Sequence, residues 1–155
     1  MLNTWFECKV RYEKMTESGV AKKVTEPYLV DALSFTEAEA RIIEEIRPYI
    51  TGEFTVADIK RANYSELFTT ESDSADRWFK CKVFFITLDE KSGAEKKTST
   101  LMLVQAADLR DAVKRLDEGM SSTLADYQIG AVNETPLMDV FMMDADQVMK
   151  DKAAE

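Results

Sequence analysis

Trp5-Phe6-Glu7-Cys8-Lys9-Val10 decides how this chain is read, because Trp78-Phe79-Lys80-Cys81-Lys82-Val83 repeats its Trp-Phe-x-Cys-Lys-Val frame. Within the first copy, Phe6, Cys8, Val10 and Tyr12 alternate with Trp5, Glu7, Lys9, Arg11 and Glu13. That period of two, apolar on one side, is the pattern of a half-buried strand. The second copy puts Phe79, Cys81, Val83 and Phe85 on one face and Trp78, Lys80, Lys82 and Phe84 on the other. Two copies are too few for a solenoid, so the pattern implies a tandem duplication with pseudo-twofold symmetry.

Outward from these strands the correspondence continues. Ser18-Gly19 and Ser92-Gly93 mark hairpin turns in which glycine takes a positive φ. Returning strands near 22–32 and 96–106 place Tyr28, Val30 and Ala32 level with Met102, Val104 and Ala106. Pro27 has no backbone donor, so this strand is expected at an edge or with Pro27 turned outward. Leu29, Leu101 and Leu103 lie on the opposite face, which is therefore not wholly polar. Ser34 with Glu37, and Asp108 with Asp111, have the spacing of helix N-terminal capping boxes. Behind them run apolar stripes at helical spacing: Phe35, Ala38, Ile42 and Ile46, then Leu109, Ala112, Val113, Leu116 and Met120. Pro48 is expected to end the first helix and Gly119 the second.

Third strands near 53–61 and 126–133 both switch face part-way, at Ile59 and Val132, which predicts a β-bulge in each, eased by Gly130 in the second. Tyr64 to Phe68 and Leu137 to Phe141 are short apolar pieces expected to close each unit. The fold class is therefore α+β: a duplicated β-β-α-β unit with ferredoxin-like layering. A right-handed crossover makes the third strand parallel to the second, leaving room for the first between them. The repeats span 4–68 and 77–141 of a single domain covering 1–155, with an acidic linker between them. Asp144 and Gln147 suggest a short C-terminal helix within 142–155.

The 155 residues carry a net charge of −9. It is shared between the halves: 9 basic and 14 acidic side chains in residues 1–73, 11 and 15 in 74–155. Nucleic-acid coating depends on neutralising phosphates, so this balance disfavours it while leaving room for a local basic strip. Histidine is absent, which removes the commonest general base and transition-metal ligand. The five glycines are scattered singly and form no phosphate loop. Ser34 is accounted for as a cap, and the acidic pairs Asp73/Asp76 and Asp144/Asp146 as linker and helix-start residues rather than metal ligands. Cys8 and Cys81 sit on inward strand positions and read as small buried hydrophobes in a reducing, cytoplasmic setting. No apolar run reaches membrane-spanning length, and the start of the chain lacks a signal-peptide pattern.

One constellation remains. The outward side chains of the repeated strand, Trp5, Lys9 and Arg11 with Trp78, Lys80, Lys82 and Phe84, combine aromatic and basic groups on one face. Single-stranded nucleic-acid platforms are built this way, stacking bases and drawing phosphates.

The paired Trp-Phe-x-Cys-Lys-Val strands are joined by Val24-Thr25-Glu26-Pro27-Tyr28-Leu29-Val30, Ser34-Phe35-Thr36-Glu37-Ala38-Glu39-Ala40-Arg41 and Glu134-Thr135-Pro136-Leu137-Met138-Asp139-Val140-Phe141. Together, from Trp5 to about Phe141, they resemble a domain family of unknown function carried by gut Bacteroidales, their phages and other mobile elements. The resemblance implies a bacterial or phage cytoplasmic protein; no activity, cofactor or site residue transfers with it. The expectation is a non-enzymatic interaction or scaffold protein without cofactors, its partner another protein or a second copy of itself. The alternative is a single-stranded nucleic-acid-binding accessory protein using the Trp/Lys/Arg face. A small-ligand sensor with its site between the copies comes third.

Overall fold

The computed structural model describes residues 4–143, a mixed α+β protein with two helices and two four-stranded sheets. The expected C-terminal helix, with Asp144 and Gln147, lies outside the described residues. The chain divides into two compact units: one comprises residues up to Ala62 and those from Leu137 onward, the other Asn63–Pro136.

In the first unit, β1 (Trp5–Met15) and β2 (Ala21–Asp31) form an antiparallel hairpin turning at Gly19, whose φ is +82°. Helix α1 (Phe35–Ile46) follows, then a 3-10 turn at Arg47–Tyr49 and β3 (Phe54–Ala62). Ser34 takes an extended conformation, and its side chain accepts a hydrogen bond from the Glu37 backbone N–H at 3.1 Å, capping the helix as its spacing predicts. Ala38, Ile42 and Ile46 recur at helical spacing and bury against Phe6, Cys8, Val10, Tyr28 and Val30. Removing a side chain such as Ile42 to alanine costs about 2–5 kcal/mol in sites of this kind. The 3-10 turn containing Pro48 ends the helix. β3 pairs antiparallel with β1, so it lies parallel to β2 with β1 between them.

The second unit repeats these steps. β5 (Arg77–Leu88) and β6 (Glu95–Ala106) form a hairpin with Gly93 at φ +70°. Helix α2 (Leu109–Met120) is capped by Asp108, and β7 (Asp126–Glu134) pairs with β5. Phe79, Cys81, Val83, Met102 and Val104 bury against Ala112, Leu116 and Met120. The expected bulges are present: register shifts at Lys9/Val10 leave Ala57 unpaired on β3, and those at Lys82/Val83 leave Gly130 unpaired on β7. Gly119 differs from expectation. It sits inside the last turn of α2, where a β carbon would come within 2.6 Å of the Phe68 ring. Close packing, rather than a left-handed cap, is what glycine serves there.

The closing strands also differ from expectation. β4 (Tyr64–Phe68) does not close the sheet that precedes it: it pairs parallel to β6 in the second unit. β8 (Val140–Phe141) pairs parallel to β2 in the first. The boundaries of the compact units therefore fall at 62/63 and 136/137. Chain reach explains the exchange. β3 occupies one edge of the order β3-β1-β2-β8, about 14 Å, or three strand spacings, from the slot beside β2. Asn63 alone separates β3 from β4, and one residue spans at most about 3.6 Å.

Each exchanged strand is held in the same way. The Asp31 carboxylate accepts from the Met143 N–H at 2.7 Å, and the Gln105 side-chain oxygen accepts from the Thr70 N–H at 3.1 Å. The Pro27 carbonyl accepts from Met138 N–H at 2.9 Å. Its nitrogen therefore also faces away from β1, and the missing donor removes no bond from that ladder.

Candidate binding surface

The seven residues of the predicted aromatic and basic face part company in the structure. Trp5 and Trp78 are only 3% and 4% exposed, so neither ring offers a face on which a base can stack. This corrects the expectation of a tryptophan platform: both stand at strand starts, and the Trp78 carbonyl is tied down by the Thr135 N–H and hydroxyl, each at 2.8 Å. Leu29 and Leu103, also outside the helix-side clusters, are fully buried. What stays accessible on this face is mainly polar, with Met15 and Leu88 exposed at the strand ends.

In the first unit acidic side chains share that face. Lys60 pairs with Glu7 at 3.3 Å, and Lys9 has Asp58 opposite it on β3 and Pro27 on β2. Arg11 is exposed, with its Nε 3.4 Å from the Thr25 hydroxyl. An open hollow of about 940 Å³ near the hairpin mixes Arg11, Lys14 and Lys23 with Glu13 and Glu53, so it favours neither sign of charge.

The second unit is different. Lys80 and Lys82 are exposed on the corresponding strand. Their cross-strand neighbours carry no charge: Leu103 and Asn133 flank Lys80, Leu101 and Ala131 flank Lys82. Among the described residues neither lysine forms an ion pair. Lys82 Nζ stands 5.4 Å from the centroid of the partly buried Phe84 ring, a cation–π contact that leaves its charge unneutralised. The lysines open on a concavity of about 560 Å³ whose polar lining comes from Asn63, Ser99, Thr100 and Asn133. Leu101 and Ala131 add an apolar part, and among the described residues no carboxylate lines it. In a chain of net charge −9, this is a local pool of ammonium, amide and hydroxyl donors.

The two thiols are the strongest nucleophiles the sequence offers. Burial, followed by the nearby Glu7 and Asp58 charges, pushes Cys8 up to about 12; burial pushes Cys81 up to about 11. Both are therefore protonated and inert at neutral pH. Among the described residues, no group of three or more His, Cys, Asp or Glu side chains gathers as a metal site would require. No described helix is long and apolar enough to cross a membrane.

A family model for a domain of unknown function, DUF4494, matches residues 4–143, nearly the whole chain. The chain belongs to the DUF4494 family. No curated protein matches the chain, and no solved structure matches it. The family match spans both units and both exchanged strands, so the arrangement described above falls entirely within one family domain.

Sequence reasoning found Lys80, Lys82 and Phe84 but missed Asn63, Ser99 and Asn133. A signal for Asn133 was present: it stands opposite Lys80 once β7 is aligned through its bulge. Asn63 carried none, because its place depends on where β4 pairs.

Proposed function

We propose that this DUF4494 chain is a non-catalytic binding module that engages an acidic partner surface through Lys80 and Lys82. The observation that carries the reading is the concavity around those two lysines, which no carboxylate lines among the described residues. Its donors other than Asn63 are spaced along strands, which hold them in fixed positions and suit them to recognition. The inert thiols supply no nucleophile and so support a binding role over a catalytic one.

The scaffold is part of the proposal. Two β-β-α-β segments share strand order, bulge position, capping site and the backbone catch at Asp31 and Gln105. We read them as descendants of one ancestral segment copied in tandem, each with a ferredoxin-like helix layer on one sheet face. In this account the first copy lost its free cationic face through Glu7 and Asp58, while the second kept one. The cytoplasmic, mobile-element setting implied by the family resemblance belongs to the same proposal.

A second reading, favoured by the Phe84 ring beside Lys82, takes the partner as single-stranded nucleic acid. Fluorescence anisotropy with a labelled oligothymidylate separates the two. Two neutralised phosphates give a slope of log K against log salt of about −1.4. The nucleic-acid reading expects that slope, and expects Lys80→Ala with Lys82→Ala to abolish binding. No anisotropy change at low salt removes the second reading. The first is then tested with poly-glutamate against the same variants, and equal affinity of wild type and double variant overturns it.

A further inference from the structure

The two units differ at a second place, between the helix and the edge strand, and the difference is independent of the lysine concavity. In the second unit Tyr127 on β7 donates a hydrogen bond to the Asp117 carboxylate on α2 at 2.9 Å, bridging strand and helix. The corresponding residues of the first unit are Phe54 on β3 and Ile43 on α1, which cannot form that bridge. There the space is open. Two hollows of about 410 and 520 Å³ meet at Val56 and run between α1 and β3. Phe35, half exposed, and the partly buried Ile43, Ile50, Phe54 and Ile59 supply apolar walls.

Among the described residues, the strand beside this groove is unpaired on its outer side. β3 stands at the end of the sheet they form and pairs there with β1. An edge next to a helix is the geometry in which an extended peptide adds as a further strand and drops alternate side chains into the groove. Charge selects the kind of peptide. Glu39 and Glu53 are exposed along the groove and form no ion pair among the described residues, against Arg47 as the one base lining it. The bulge at Ala57 breaks the edge into two short stretches. Bulges of this kind oppose long edge-to-edge pairing between copies while leaving room for a short segment.

We propose that the groove between α1 and β3 is a docking site for a short extended peptide of a partner protein, carrying alternating apolar and basic side chains. The site lies wholly in the first unit and does not depend on the lysine concavity for its argument.

The full chain is tested by selection from a random dodecapeptide phage library, with recovered peptides synthesised and measured by anisotropy. Basic, β-branched sequences are expected, with amide exchange slowed along residues 54–62 on binding. Ile43→Asp with Phe54→Tyr transplants the second unit's bridge and is expected to weaken binding at least tenfold. Glu39→Lys with Glu53→Lys changes exposed positions only, keeps the fold, and is expected to do the same for basic peptides. Failure to enrich any peptide above a bait-free control overturns the proposal. So does unchanged affinity in the charge-reversed variant, or a dimer in light scattering that the same substitutions dissociate, since the occupant is then a second copy.

Discussion

Cys8 and Cys81 are fully buried, and what their environment does to them sets a testable pH dependence. Burial raises both thiols from an ordinary value of 9.0, Cys8 to about 12 and Cys81 to about 11. The folded state therefore holds those protons more tightly than the unfolded chain. Their contribution to stability is complete below about pH 9 and is lost as pH rises through the folded values. Each thiol weakens the fold by up to about 1.4 kcal/mol per pH unit once the unfolded chain ionises. Urea unfolding at pH 8, 9 and 10 is expected to show falling stability, with a shallower fall in Cys8→Ala/Cys81→Ala. Tyr12 shifts in the same direction, from 10.0 to about 12, through burial and its hydrogen bond to Glu26, so its effect begins a unit higher. A second residue-scale test concerns Gly130, where the Phe84 ring occupies the space of a β carbon. Gly130→Ala is expected to cost about 1–3 kcal/mol through overpacking. The first unit has Ala57 and Arg11 at these positions, so Phe84→Arg in the same chain is expected to recover part of that loss. Additive unfolding free energies would refute the pairing.

At the scale of elements, β8 is the exposed point of the architecture. Two residues, Val140 and Phe141, pair with Leu29 and Val30, too few to hold a strand by ladder bonds alone. Phe141 stacks on Tyr28 with ring centroids 5.8 Å apart, and Asp31 receives both the Met143 N–H and the Arg41 guanidinium. One carboxylate thus fastens β8, the end of β2 and α1 together. Asp31→Ala is expected to destabilise the chain by about 2–3 kcal/mol, the range for charge-assisted hydrogen bonds at a partly buried site. Amide exchange is the sharper measurement: residues 140–143 are expected to lose protection before the helix does. Uniform loss across the first unit would show that Asp31 does not act through β8. On the sequence side, the two β-β-α-β runs, their caps and both bulges were legible because each writes a local period or a local breaker. The exchange of β4 and β8 was written only in the one-residue spacing after Ala62.

Over the whole molecule the exchange makes each unit depend on the other half of the sequence for a strand. Fragments 1–73 and 74–155 each lack one closing strand of their sheet. Mixed and refolded together, they are expected to form a one-to-one complex with the circular dichroism and amide spectrum of the intact chain. Each alone is expected to be less protected at β2 or β6. Native-like spectra from either fragment as a monomer would refute this dependence.

The order of strands and helices, the inward faces and the positions of the bulges were determined by sequence alone, since side-chain period and backbone restriction act over a few residues. Tertiary structure decided three other things: which sheet each short strand joined, that Trp5 and Trp78 were withdrawn from solvent, and that Asn63 and Asn133 came to stand beside two uncompensated lysines. Those depend on sheet edges and covered faces, which come into being only when distant segments meet.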